Sequence, residues 1–156
     1  MRKVPGLRRF LTEGGVVGPM MLVSACLAGI PCRWDCKEKS SARVIELLNE
    51  GKAIPVCPEQ LGGLTTPRDP SERIGKRVFS RNGENVTVRF ENGAKIVLEI
   101  ARKYNCKEAI LKSKSPSCGS KEIYDGSFTG KLIAGDGVTA QLLKENGIRV
   151  YTEDEV

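Results

Sequence analysis

The strongest constraint on this chain is its alternation between short apolar runs and segments with the 3.6-residue hydrophobic period of a helix. Met21-Leu22-Val23-Ser24-Ala25 runs apolar into a Gly- and Pro-containing stretch and reads as a buried strand. Ala42 to Glu50 has helical spacing, with Ser40 or Ser41 available as a cap and Gly51 where a helix end wants positive φ. Ala53-Ile54-Pro55-Val56-Cys57 reads as a second strand, although Pro55 cannot donate to a ladder. Residues 60–75 read as loop. Arg77–Ser80 and Glu84–Val86, joined through Asn82-Gly83, suggest a small hairpin. Thr87 is then a candidate N-cap for a helix with Phe90, Ala94, Val97, Ala101 and Tyr104 on its apolar face. Gly93 should weaken that helix by up to about 1 kcal/mol. Glu108–Lys112 is a third strand, followed by a long glycine-rich loop through Cys118 to Gly137. A short helix over Val138–Glu145 and a strand over Ile148–Tyr151 complete the chain. The order predicts an α/β fold: three layers, a mostly parallel four-stranded sheet with helices on both faces, and a small β-hairpin insertion.

A chain of 156 residues suits one domain, and residues 21–156 are expected to form it. Residues 1–20 are expected to be a disordered basic extension, or to reflect translation from a start upstream of Met20 or Met21. Arg2, Lys3, Arg8 and Arg9 against Glu13 alone supply half of the net charge of +6, so the basic balance says little about nucleic acid. The segment lacks the apolar region of a secretory signal, and no apolar run approaches the roughly 18 residues that a membrane helix needs. The expected setting is the cytoplasm, with no membrane partner, as a monomer or homodimer.

Six cysteines stand at 26, 32, 36, 57, 106 and 118, and histidine is absent. A reducing compartment argues against a disulfide framework and for metal-binding, catalytic or merely buried thiols. Without histidine, Cys–His proteolysis, a Ser–His–Asp triad and imidazole-containing zinc sites are excluded. Cys26 lies just past the first expected strand, Cys57 ends the second, and Cys118 sits in the loop after the third. Carboxyl ends of parallel strands share one edge, where ligands bind, so these three thiols should meet. Converging thiolates select zinc, copper(I) or iron–sulfur clusters. Structural zinc would normally use a Cys-x-x-Cys pair, which is missing. A cubane on three cysteines would leave one iron open as a Lewis acid. The plain alternative for Cys26 and Cys57 is small buried hydrophobes at strand ends.

Several segments carry a family resemblance: Leu22-Val23-Ser24-Ala25-Cys26-Leu27, Pro31-Cys32-Arg33-Trp34-Asp35, Pro55-Val56-Cys57-Pro58-Glu59-Gln60-Leu61-Gly62-Gly63-Leu64, Lys112-Ser113-Lys114-Ser115-Pro116-Ser117-Cys118-Gly119 and Gly135-Asp136-Gly137-Val138-Thr139-Ala140. Over about residues 21–152 the chain resembles the small bacterial family, long known only as a domain of unknown function, that includes the thiouracil desulfidases. Some relatives carry an extra domain, and some are linked to thiolated bases in tRNA.

The resemblance implies a [4Fe-4S] cluster on Cys26, Cys57 and Cys118, with the open iron taking the substrate's sulfur and water replacing it without net redox change. It implies Glu59 and Ser115 as catalytic residues. A carboxylate beside the cluster can activate water, and a serine hydroxyl can orient that water or the ring edge. Cys32, Ser113 and Lys114 are expected nearby; Cys32 matches a family cysteine outside the ligand set. Cys36 and Cys106 depart from the pattern and read as incidental. The bland alternatives are a turn cap for Glu59 and loop hydrogen-bonding for the serines. Lys112, Lys114 and Arg68 read either as solvated charges or as guides for an anionic substrate. The expected partner is a small thiolated nucleobase. A metal or sulfur-trafficking module and an enzyme for thiolated tRNA remain the alternatives.

Overall fold

Leu22, Val23 and Ser24 are each at most 2% exposed, so the strand they form must be covered on both faces. That strand is β1 (Met21–Ser24), in the computed structural model that describes residues 19–156. The expected extension over residues 1–20 falls, for residues 1–18, outside the described residues. Strand β1 pairs in parallel with β2 (Ala53–Val56) on one side and β5 (Glu108–Leu111) on the other. β5 pairs in parallel with β8 (Arg149–Thr152), giving the order β2-β1-β5-β8. Pro55 is tolerated because β2 is an edge strand.

Alternate residues build two separate cores, as the two-residue period of a strand requires. On one face Leu22, Ala109, Leu111 and Val150 pack with Val97, Leu98 and Ala101 of α3 (Thr87–Lys103) and Ala140 and Leu143 of α4 (Val138–Glu145). On the other, Val23, Ala53 and Ile110 pack with Val44 and Leu47 of α1 (Ala42–Asn49). The three-layer α/β expectation therefore holds.

The hairpin expectation needs correction. The arm Arg77–Ser80 is present as β4, but its partner is β3 (Ser71–Ile74), across a turn in which Gly75 has φ 59°. Residues 84–86 do lie antiparallel to β4, as a bridge rather than a strand: Asn85 pairs with Phe79, Ser80 N–H donates to the Glu84 carbonyl at 2.9 Å, and Val86 N–H donates to the Val78 carbonyl at 2.9 Å. β3 escaped notice because its inward residue is Glu72, 8% exposed, which breaks the apolar alternation. Its carboxylate accepts the N–H groups of Gly126 and Phe128 at 3.0 and 3.1 Å. The presumed loop after Cys118 likewise contains a second hairpin, β6 (Glu122–Tyr124) with β7 (Leu132–Ala134). Thr87 opens α3 rather than capping it: its hydroxyl accepts the Val78 N–H at 2.9 Å. Tyr104, expected on the apolar face, is 59% exposed where the helix ends.

A one-turn helix, α2 (Pro58–Leu61), occupies the start of the segment read as loop and lies against α3 through two glycines. A Cβ on Gly93 would stand 1.9 Å from the Pro58 carbonyl oxygen, and one on Gly62 would stand 2.0 Å from that of Arg89. Gly93 thus serves the packing of α2, which follows Cys57 directly. Helix propensity alone makes Gly93→Ala a gain of about 1 kcal/mol. The backbone clash makes it a loss of roughly 1–3 kcal/mol instead. Urea unfolding of the variant decides the sign.

Candidate functional site

Strand β1 passes at Ser24 into a 3₁₀ turn, Ala25–Ala28, which Gly29 closes at φ 88°. Cys26 sits in that turn. Strand β2 ends at Val56, and Cys57 takes the N-cap position of α2 with Pro58 behind it. β5 ends at Leu111, and Cys118 lies in the turn that follows. Each cysteine is thus a residue or more beyond its strand, on the carboxyl edge. All three line one cavity of about 660 Å³, together with Cys32, Glu59, Ser113, Lys114 and Ser115. Every site residue expected from the sequence is at this cavity. Cys36 is exposed, and Cys106 is buried among residues of the α3–α4 core.

Hydrogen bonds hold the loop carrying Cys118. The Ser115 hydroxyl oxygen accepts the N–H groups of Ser117 and Cys118, both at 3.1 Å, which leaves its own proton as the free group. The buried Ser117 hydroxyl shares a 2.8 Å bond with Thr139 in the first turn of α4. Buried Ser24 accepts the Lys112 N–H at 2.9 Å and also bonds the Cys118 thiol. Glu153 accepts the Ser113 N–H at 3.0 Å, while the Lys112 ammonium bonds the Ser113 hydroxyl at 3.0 Å and Glu153 at 3.3 Å. Lys112 is therefore pinned to the protein, whereas Lys114 is exposed at φ 67°. Glu59 is ion-paired with Arg68. It is not a turn cap.

The thiols perturb one another. Cys32 contacts both Cys26 and Cys57; its hydrogen bond with Cys26 and then burial push its thiol up to about 11. The Cys57 thiol is raised by its bond with Cys32 and by burial. Burial pushes Cys118 up to about 12, against an opposing bond from Ser24. Thiolates crowded in a desolvated pocket repel each other and call for a soft cationic partner. Among the described residues no three Cys, Asp or Glu side chains converge on a point where a single metal ion would sit. Soft sulfur without imidazole is the donor set that iron–sulfur clusters take.

Sequence reasoning missed Ser24 and Glu153 and misread Arg68. The edge rule that found the cysteines reaches Glu153 too, since it directly follows β8. For Arg68 no spacing signal exists, because its loop is irregular.

The fold and pocket define a cysteine-lined α/β domain of the 2-thiouracil desulfurase family, which matches residues 21–155; the chain belongs to that family. It is 45% identical over 147 residues to the uncharacterized protein YbbK of Bacillus subtilis (strain 168), covering 88% of this chain and 97% of YbbK. Among solved structures it is similar to that of the [4Fe-4S]-dependent thiouracil desulfidase TudS, with a TM-score of 0.86 and 43% identity. That match covers 89% of this chain and 93% of the other.

Thiol chemistry follows from the burial and the raised values. In the metal-free protein near neutral pH, iodoacetamide should modify exposed Cys36 first, with Cys32, Cys57 and Cys118 at least about tenfold slower for want of thiolate. Raising the pH toward 11 should speed Cys32. Peptide mapping by mass spectrometry reads the order, and labelling of Cys118 as fast as Cys36 would contradict the pocket described.

Proposed function

We propose that this chain is a [4Fe-4S]-dependent desulfidase acting on a thiolated pyrimidine of the 2-thiouracil type. The reaction replaces C=S by C=O, consuming water and releasing sulfide without net electron transfer, a hydrolase- or lyase-like cleavage of carbon from sulfur. Cys26, Cys57 and Cys118 would hold the cluster, leaving one iron without a protein ligand. When bound, the cluster supplies a Lewis acid for the substrate's sulfur. Family membership and 43% identity to a [4Fe-4S]-dependent thiouracil desulfidase support the reading. The observation that carries it is the opening of three buried or half-buried thiols from three adjacent parallel strands onto one cavity with a carboxylate.

The chain's own groups handle water and protons. Glu59 takes a proton from the water that attacks the ring carbon and returns it as sulfide departs, a role worth roughly 10²–10⁴ in rate. Ser115, its lone pairs engaged by two backbone amides, donates its hydroxyl proton to the ring edge or the developing oxygen. Cys32 stays a thiol packed between Cys26 and Cys57. Ser113 and Lys114 border the substrate's entrance. Among the described residues no helix is long and apolar enough to cross a membrane, and the proposed site of action is the cytoplasm.

Anaerobic reconstitution with iron and sulfide should give a brown protein with the visible and paramagnetic-resonance spectra of a cubane. Cys26→Ser, Cys57→Ser and Cys118→Ser should each lose the chromophore. Glu59→Gln should keep it while kcat on 2-thiouracil falls by about 10²-fold or more. A colourless site that fills with zinc favours metal or sulfur trafficking instead. Activity confined to thiolated tRNA and suppressed by salt moves the substrate to RNA.

A further inference from the structure

The Arg68 guanidinium has five N–H donors, and all five are used inside the protein. Nε–H bonds Oε2 of Glu59 at 3.0 Å, and Nη2 bonds the same oxygen. Nη2 also reaches the Cys32 carbonyl at 3.1 Å. Nη1 is shared between the Thr65 carbonyl at 3.1 Å and the Thr66 hydroxyl at 2.9 Å. The Arg68 side chain is only 9% exposed, and its backbone N–H bonds the Trp34 carbonyl at 2.9 Å. No donor remains for a substrate anion.

The asymmetry at Glu59 is the informative part. Both Arg68 bonds fall on Oε2, and among the described residues no protein donor reaches Oε1. We propose that Arg68 is a positioning residue: it clamps one oxygen of Glu59, keeps the other free for water, and ties the carboxylate to the Cys32–Trp34 segment. Lysine cannot substitute, because an ammonium lacks the planar fork that spans Glu59, Cys32 and the Thr65–Thr66 turn at once. The catalytic half of this proposal rests on the desulfidase reading above.

The test uses Arg68→Ala and Arg68→Lys, reconstituted anaerobically. Both variants should keep the cluster's visible absorption, while kcat on 2-thiouracil falls at least about tenfold with KM nearly unchanged, as misorientation of a catalytic group predicts. Millimolar guanidinium ion should restore part of kcat in Arg68→Ala, where it has a vacated place, and not in Arg68→Lys. A second readout needs no turnover. In metal-free protein, subtracting the infrared spectrum of Glu59→Gln isolates the Glu59 carboxylate bands. Their splitting should change in Arg68→Ala and recover with guanidinium. An unchanged kcat, or a rise in KM alone, overturns the positioning role, and unmoved infrared bands overturn the clamp. If the unsubstituted chain does not turn over 2-thiouracil, the desulfidase reading fails while the infrared result still decides the clamp. Should Arg68→Ala not fold, Arg68→Gln replaces it, with the same expected fall in kcat and change in the infrared splitting and no guanidinium rescue.

Discussion

Parallel pairing of β1 with a neighbour on each side is the constraint from which the site follows. Met21 stands opposite both Ala53 and Glu108, and Ser24 opposite Val56, so the central strands finish close to level. The chain leaves the sheet at this edge after each of its four parallel strands, and a cysteine follows the exits from β1, β2 and β5. A one-residue slip would turn every strand residue to the other face, exchanging the residues of the two cores. The burial of Leu22 and Val23 on opposite faces therefore guards the register on which the meeting of the thiols depends.

Around that edge the polar groups answer one another. Glu153 holds the backbone at Ser113, Ser24 holds the backbone at Lys112, and Thr139 holds Ser117. Among the described residues Ser120 Oγ alone is a buried side-chain oxygen or nitrogen without a partner. The thiols are the exception to this satisfaction. With sulfur as neighbour and little water, Cys32, Cys57 and Cys118 all favour the neutral form. The nearest guanidinium is spent on a carboxylate and three backbone or hydroxyl oxygens. A site shaped in this way is stabilised by a soft, positively charged guest, and the uncharged substrate of the proposed reaction does not compete for that role.

The glycine pair between α2 and α3 links the scaffold to the chemistry. Because Gly62 and Gly93 let two backbones touch, the turn after Cys57 is set by a helix that contributes nothing else to the pocket. Glu59 rides on that turn, and Arg68 then joins it to the segment after the first cysteine. The carboxylate is thus located by packing on one side and by an ion pair on the other.

The strand–helix alternation, the burial of β1, and the place of Cys26, Cys57 and Cys118 after three strands were all readable along the chain. Each depends on local hydrophobic period and on a general rule of parallel sheets. The α3 face could likewise be read from Phe90 to Ala101. What lay beyond reach was whatever depends on contacts between distant segments. Strand β3 was hidden because its inward residue is a carboxylate whose partners, Gly126 and Phe128, lie far along the chain. Gly93 looked like a flaw in a helix until α2 was packed against it. Arg68 read as a solvated charge or a guide for an anionic substrate until its five donors found their acceptors. Periodicity records which side of an element is apolar. Only the folded chain decides which polar groups satisfy each other, because those pairings are made by loops whose course no local pattern encodes.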